Sequence, residues 1–260
     1  MPERFVRFIN AGGQETHFGI IDKDTVIRLD QPPWLGVRRT PEQFAFNDVT
    51  LKAPVVPSKI ICIGLNYHAH VKASFSADEA PERPLIFLKP PSAVVGPGEN
   101  IVHTAQSQRV DYEAELGVVI GKNTVDVSVD EAPRCIFGYT CVNDVTARDL
   151  QKVDGQWSRA KGFDTFCPVG PWIITGIDCS DVLVEGILND RVMQSGRTSQ
   201  MIFNIPFLVS YISSIMTLLP GDLISTGTPA GISPMKPGDK IEVKVERVGT
   251  LENRVVASAG

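Results

Sequence analysis

The stretch Arg109-Val110-Asp111-Tyr112-Glu113-Ala114-Glu115-Leu116-Gly117-Val118-Val119-Ile120 decides how this chain is read. Taken as a strand, its alternation puts Asp111, Glu113 and Glu115 on one face and Tyr112, Ala114, Leu116 and Val118 on the other. One face is acidic and the opposite face builds core. On the rise of a strand, carboxylates two positions apart sit within roughly 7 Å of each other. If they are partly buried, their repulsion is relieved by protonation or by a cation, and a cation is the expectation. The same spacing also occurs on the solvated face of an edge strand, where acids discourage aggregation, so the strand alone leaves both readings open.

A further carboxylate lies downstream. The apolar run Ile136-Phe137-Gly138-Tyr139-Thr140-Cys141-Val142 ends in Asn143-Asp144 and continues as Val145-Thr146-Ala147-Arg148-Asp149-Leu150-Gln151, so a strand delivers Asp144 at its tip before a helix. Asp at such a junction also serves as an N-cap. If Glu113, Glu115 and Asp144 converge, they make an all-oxygen site suited to Mg²⁺ or Mn²⁺, with Ca²⁺ as a third candidate, rather than to zinc. The histidines agree: beyond His68-Ala69-His70 there are only His17 and His103, too few for a histidine-based zinc site.

Outward from these segments, 260 residues with a 43% hydrophobic fraction suffice for one sizeable core and a small appended domain. A net charge of −5 with both signs interspersed gives no electrostatic footprint for nucleic acid and no polybasic stretch for a membrane surface. Charges break up the first residues, and no apolar run approaches the roughly 20 residues of a membrane span, so a cytoplasmic protein is expected. Five scattered cysteines without a C-x-x-C pair read as reduced, buried thiols.

Strand-like pieces at Arg4 to Ile9, His17 to Asp22 and Thr25 to Leu29 lead to Ala53-Pro54-Val55-Val56-Pro57. This predicts a small β-rich N-terminal domain over residues 1–55 and a larger domain over 56–260. Further strands are expected at Ile60 to Ile63, Leu85 to Leu88, Glu115 to Ile120 and Ile136 to Val142, with the clearest helix at Phe203 to Leu218. Pro220-Gly221-Asp222 and Pro237-Gly238-Asp239, each followed by a β-rich run, read as two hairpin turns. The fold class is α+β, mainly β. No GxGxxG, GxxxxGK[ST] or GxSxG is present, which removes the usual dinucleotide, nucleotide and α/β-hydrolase readings.

Six segments in one order resemble the fumarylacetoacetate hydrolase family, over about Ile60 to Val256. They are Gly64-Leu65-Asn66-Tyr67-His68-Ala69-His70, Phe87-Leu88-Lys89-Pro90, Asp111 to Leu116, Asn143 to Gln151, Lys161-Gly162-Phe163-Asp164-Thr165 and Ser225-Thr226-Gly227-Thr228-Pro229-Ala230-Gly231. The resemblance implies a mixed β-sandwich roll, usually a homodimer, with Mg²⁺ or Mn²⁺ held at Glu113, Glu115 and Asp144. It further implies that Gln151, Lys161 and Thr228 face a small 2-oxo acid and that His70 moves a proton. Members of the family include hydrolases of 2,4-dioxo acids, decarboxylases and keto–enol or diene isomerases. These reactions share an enolate that a Lewis acid stabilises, so the metal alone does not choose among them.

One position departs from the family pattern. Hydrolases of this family carry a glutamate three residues after the histidine, on the same helical face, where it orients the imidazole and activates water. Here that position is Ala73. Asn66 is expected to cap a short helix through His70, and Asp78, Glu79 or Glu82 are the nearby acids that could replace the missing one. Arg148 and Asp149 are expected to brace the helix rather than touch substrate, and Lys89 has no assigned role. The expectation is an isomerase or decarboxylase acting on a 2-oxo or 2-hydroxy-diene dicarboxylic acid, with acylpyruvate hydrolysis as the alternative. A Schiff-base role for Lys161 and a catalytically silent binding protein are the rivals from other classes.

Overall fold

The computed structural model describes residues 1–73 and 79–258. In chain order, β1 (Glu3–Asn10), β2 (His17–Asp22), β3 (Thr25–Leu29), β4 (Arg39–Ala45) and β5 (Val49–Lys52) come first. Next are β6 (Ile60–Gly64), α1 (His68–Ala73), β7 (Leu85–Lys89), β8 (Val94–Val95), β9 (Asn100–His103) and β10 (Val110–Asp111). The middle of the chain supplies β11 (Ala114–Ile120), β12 (Ile136–Asn143), β13 (Thr146–Ala147), α2 (Arg148–Asp154), α3 (Ser158–Gly162) and β14 (Cys167–Thr175). The remainder is β15 (Leu183–Leu188), β16 (Arg191–Arg197), α4 (Ile205–Ser213), β17 (Leu223–Ser225), β18 (Pro234–Met235), β19 (Lys240–Val245) and β20 (Gly249–Ala257).

Mainly β architecture with few helices is what the strand-rich patterning predicts. The largest sheet runs β4-β3-β2-β1-β14-β12-β11-β17-β6-β7, with β5 on β1 and β8 on β14. Because β1 pairs with β2 and, through Glu3 to Phe5, with β14, the N-terminal meander continues the sheet that carries the acidic strand. A second sheet, β16-β15-β19-β20-β9, and a short one, β13-β10-β18, complete the framework. Among the described residues no helix is long and apolar enough to cross a membrane.

Both faces of β11 are covered, so all seven of its residues are buried. Leu116, Val118 and Ile120 pack with Val184, Val243, Val245 and the α4 residues Leu208, Val209 and Ile212, while Val119 faces Phe5, Ile20, Val142 and Ile173. A strand buried on two sides carries a near-continuous apolar run, and residues 116–120 form one. The edge-strand alternative for the acidic face is therefore excluded: Glu113 and Glu115 are 6% and 1% exposed.

Three sequence expectations need correction. The acidic stretch is two strands, interrupted at Tyr112 and Glu113, because the Glu113 amide donates to the Asn143 side chain (3.0 Å) and the Tyr112 hydroxyl turns to Gly231 and Ser233. Tyr112 accordingly packs with Ile101, Phe166 and Met235, not with Leu116. The helix expected at Phe203 to Leu218 is only Ile205–Ser213. Asn204 caps its start by accepting from the Phe207 amide, while the Ser213 and Ser214 hydroxyls donate back to Ser210 and Tyr211 carbonyls and compete with further helix. Finally, neither Pro-Gly-Asp turn closes a hairpin. β17 pairs with β11 and β6, and β19 with β15 and β20, so each turn instead reverses the chain between different sheets or layers.

Candidate metal centre and active-site cleft

The interruption before β11 builds the site. Register pairs Ala114 with Asn143, the Asp144 amide donates to the Glu113 carbonyl (2.9 Å), and the two chain segments are thereby locked side by side. Oxygens from Glu113, Glu115 and Asp144, all buried, then lie within 4.8 Å of one another. Asp144 does not cap α2, whose first residue is Arg148 and whose N-cap position is Ala147.

Each carboxylate is held by several donors, and Lys161 is shared by Glu113 and Asp144. Glu115 accepts from the Ser225 hydroxyl (2.5 Å) and the Gly227 amide (2.8 Å) through the same oxygen, Oε2. Glu113 accepts from Thr146 and Arg148 at Oε1 and from Lys161 at Oε2 (2.9 Å). Asp144 accepts from Lys89 at Oδ1 and from Lys161 at Oδ2, each at 2.5 Å. Burial, with Asp144 and Glu113 nearby, pushes the Glu115 carboxyl well above its ordinary value. Burial pushes Glu113 the same way, but Lys161, Arg148 and His70 together outweigh it and hold that carboxyl well down. An all-oxygen, acid-rich, nearly dry donor set of this kind fits a hard divalent cation such as Mg²⁺ or Mn²⁺.

Lys161 is 1% exposed and lies 4.9 Å from the centre of the Phe87 ring. Burial would lower its pKa, but Asp144 and Glu113 raise it, so the group stays an ammonium. A charged amine gripped by two carboxylates is a poor nucleophile, which weighs against the Schiff-base reading. Arg148 ties the acids together, donating to Asp111, Glu113 and Gln151. Asp111 belongs to this brace, shared with Arg109, and lies outside the carboxylate triad.

One polar cleft is lined by His70, Glu113, Glu115, Arg148, Gln151, Lys161 and Thr228, with Phe87 and Trp157 as apolar walls. The structure thus brings together six of the seven residues singled out in the sequence, and Asp144 joins them through the triad. Gln151 is oriented by Arg148 (2.6 Å), and Thr228 by Gln194 and the Ala114 carbonyl. His70 is buried, and its Nδ1 has no hydrogen-bond partner among the described residues. Burial lowers the His70 pKa, Glu113 opposes this, and Arg148 and Lys161 reinforce it, so the imidazole is neutral near pH 7.

Asn66 does not cap α1. Its amide donates to the carbonyls of Phe203 and Thr226 and its carbonyl accepts from the Phe203 amide, so it works as a strut between two loops. Of the acids considered as partners for His70, Glu79 and Glu82 are exposed, and Asp78 lies outside the described residues. Two residues of the site were not singled out as functional from sequence. Arg148 lines the cleft, in addition to bracing the helix, and Lys89 is wholly buried against Asp144. Both sit inside segments that carry the family resemblance, but single cations in a sequence are by default solvated, and only their burial separates them from that case.

A family profile described as fumarylacetoacetate (FAA) hydrolase, C-terminal, matches residues 59–256, and one described as Rv2993c-like, N-terminal, matches residues 3–54. Oxaloacetate tautomerase YisK of Bacillus subtilis (strain 168) is 41% identical over 225 residues, which span 82% of this chain and 75% of that protein. The crystal structure of 5-carboxymethyl-2-hydroxymuconate delta-isomerase from Mycobacterium smegmatis shares 44% identity and a TM-score of 0.91, covering 98% of this chain and 100% of that one. Maleylpyruvate hydrolase from Sphingobium sp. SYK-6, in complex with manganese(II) ion and pyruvate, shares 30% identity and a TM-score of 0.81, covering 98% of this chain and 100% of that one.

Proposed function

The chain belongs to the fumarylacetoacetate hydrolase family of enzymes, and from that premise we propose that it is a divalent-metal-dependent keto–enol isomerase of a small 2-oxo dicarboxylic acid. Mg²⁺ or Mn²⁺ held by Glu113, Glu115 and Asp144 would supply Lewis acidity that lowers the cost of negative charge on the 2-oxo group.

The observation that carries the choice of reaction is His70: buried, uncharged, with no partner for its Nδ1 among the described residues, and under the influence of Glu113, Arg148 and Lys161. A neutral imidazole takes a proton from carbon and returns it to oxygen without any ordered water. Hydrolysis asks more of it, since an acid must hold the ring against a water. Lys161 and Arg148 give the cleft the positive charge that a dianionic acid needs, with Lys161 set to neutralise charge growing on the enolate oxygen. Phe87 and Trp157 keep bulk water off the proton being moved. Decarboxylation of a 2-oxo dicarboxylate passes through the same enolate and is the nearest further activity. The likeness to maleylpyruvate hydrolase favours hydrolysis as the second reading.

The test tracks the ultraviolet absorbance of enol-oxaloacetate as it converts to the keto form, with Mg²⁺ or Mn²⁺ present. Catalysed decay that His70→Asn lacks is the expected result. Rapid release of acetate from acetylpyruvate, without acceleration of the oxaloacetate conversion, would replace this reading with the hydrolase.

A further inference from the structure

Gln194 lies in β16, outside every segment that carries the family resemblance, and is completely buried. Register sets Gly186 opposite it, and a Cβ on Gly186 would come within 2.7 Å of Gln194 Oε1, so a glycine is required for the side chain to lie where it does. Its carbonyl oxygen accepts from the Ala114 amide (2.9 Å), while its Nε2 donates to the Thr228 hydroxyl and to the Pro229 carbonyl, both at 2.7 Å. The Thr228 hydroxyl in turn donates to the Ala114 carbonyl (2.8 Å).

Backbone groups fix the Gln194 amide in this ring, and the buried Ala114 carbonyl is the acceptor it leaves for the Thr228 proton. The Ala114 amide can only donate and the Pro229 carbonyl can only accept, so backbone groups at both ends decide which way the Gln194 amide faces. Nε2 therefore gives its remaining hydrogen to Thr228 Oγ1, and the Thr228 proton is committed to the Ala114 carbonyl. What Thr228 keeps for the cleft is one lone pair and no proton.

We propose that Gln194 is a positioning residue that fixes the Thr228 hydroxyl as an acceptor toward the cleft, so that the site favours the enol over the keto form of its substrate. The inference rests on the proposed function, in which the substrate is a 2-oxo dicarboxylate. At neutral pH the keto form of such an acid carries only acceptors, two carboxylates and a carbonyl. The enol adds one O–H, its only donor. A lone pair at Thr228 accepts from that hydroxyl and opposes a carbonyl oxygen placed there.

Calorimetric titration of the Mg²⁺-loaded protein with glycolate, which has a hydroxyl donor, and with oxalate, which has none, tests this without any turnover. In Thr228→Val glycolate binding weakens by about tenfold while oxalate stays within about twofold, and Thr228→Ser behaves as the wild type. Gln194→Met removes the N–H that holds the Thr228 hydroxyl in place, so the hydroxyl can rotate away from the Ala114 carbonyl, and the ratio of the two dissociation constants shifts in the same direction, toward oxalate. General damage to the fold weakens both probes alike and leaves their ratio unmoved. An unchanged ratio in Thr228→Val, or a loss confined to oxalate, overturns the proposal. Absence of oxaloacetate isomerisation alongside a shifted ratio would instead overturn the substrate reading and leave the polarity of Thr228 standing.

Discussion

The ammonium of Lys89 lies 2.5 Å from Oδ1 of Asp144, both groups are buried to within 1%, and Lys89 also donates to the Val145 carbonyl (3.0 Å). Lys89 is not among the cleft-lining residues, so it holds Asp144 from behind through Oδ1 and leaves Oδ2 to Lys161. Removing one member of a buried, hydrogen-bonded pair strands the other. Lys89→Met is therefore expected to cost about 3–5 kcal/mol in denaturant unfolding. A midpoint unchanged from the wild type would mean that the pair does not form.

Three carboxylates in so small a volume predict a strong dependence on metal. Treatment with a chelator should abolish oxaloacetate isomerisation, and Mn²⁺ should restore it. Glu115→Gln keeps the shape but removes a charge, and should weaken Mn²⁺ binding, measured by electron paramagnetic resonance, by at least about tenfold. Full activity in metal-stripped protein would refute the assignment of the triad.

Much of this site was legible in the sequence for a definite reason. The two-residue spacing put Glu113 and Glu115 together, which the structure keeps although the strand breaks at Tyr112 and Glu113, and the abrupt end of the apolar run at Asn143 located Asp144. What escaped was everything decided by groups distant along the chain. The break at Tyr112 and Glu113 depends on the Asn143 side chain taking over a backbone bond, and Asn66 is drawn away from capping by carbonyls at Phe203 and Thr226. Gln194 left no local signal, because its meaning comes from a glycine across the hairpin and a loop more than thirty residues on.

If His70 moves the proton as proposed, the pH dependence should originate there. Burial first, then Arg148 and Lys161, depress its pKa in the folded protein, while Glu113 opposes them. The catalytically competent neutral form should thus persist as pH falls past the ordinary imidazole value near 6.5, and the acid limb of the rate should lie below it. Stability carries the same sign. The unfolded chain takes up this proton more readily, so the contribution of a neutral His70 is intact above about 6.5 and is lost as pH drops toward and through the folded value. An acid limb centred above 6.5 would contradict the burial of the imidazole.

Gly227 ties Glu115 to the loop that carries Thr228. Its φ is +99°, and a Cβ there would lie 2.6 Å from the Asn66 Cβ and 3.2 Å from the Ile63 carbonyl. Gly227→Ala combines backbone strain with a clash against the Asn66 strut, for a loss of about 2–4 kcal/mol. Thermal and denaturant unfolding read this directly, and an alanine tolerated within about 0.5 kcal/mol would show that the loop is not pinned as described.

The most discriminating change concerns Ala73, the last residue of α1, three positions after His70. Residues three apart in a helix share a face, so a carboxylate introduced at 73 is expected to favour the charged form of the imidazole. Two consequences separate at the bench. Ala73→Glu should raise the acid limb of the rate–pH profile, because the added negative charge opposes the depression caused by burial. It should also increase release of acetate from acetylpyruvate by at least about tenfold, because the ring, now held by an acid, can draw a proton from attacking water. If the limb moves and acetate release does not, the acid has reached His70 without making a hydrolase, and the absence of glutamate at this position is not what separates isomerisation from cleavage in this protein.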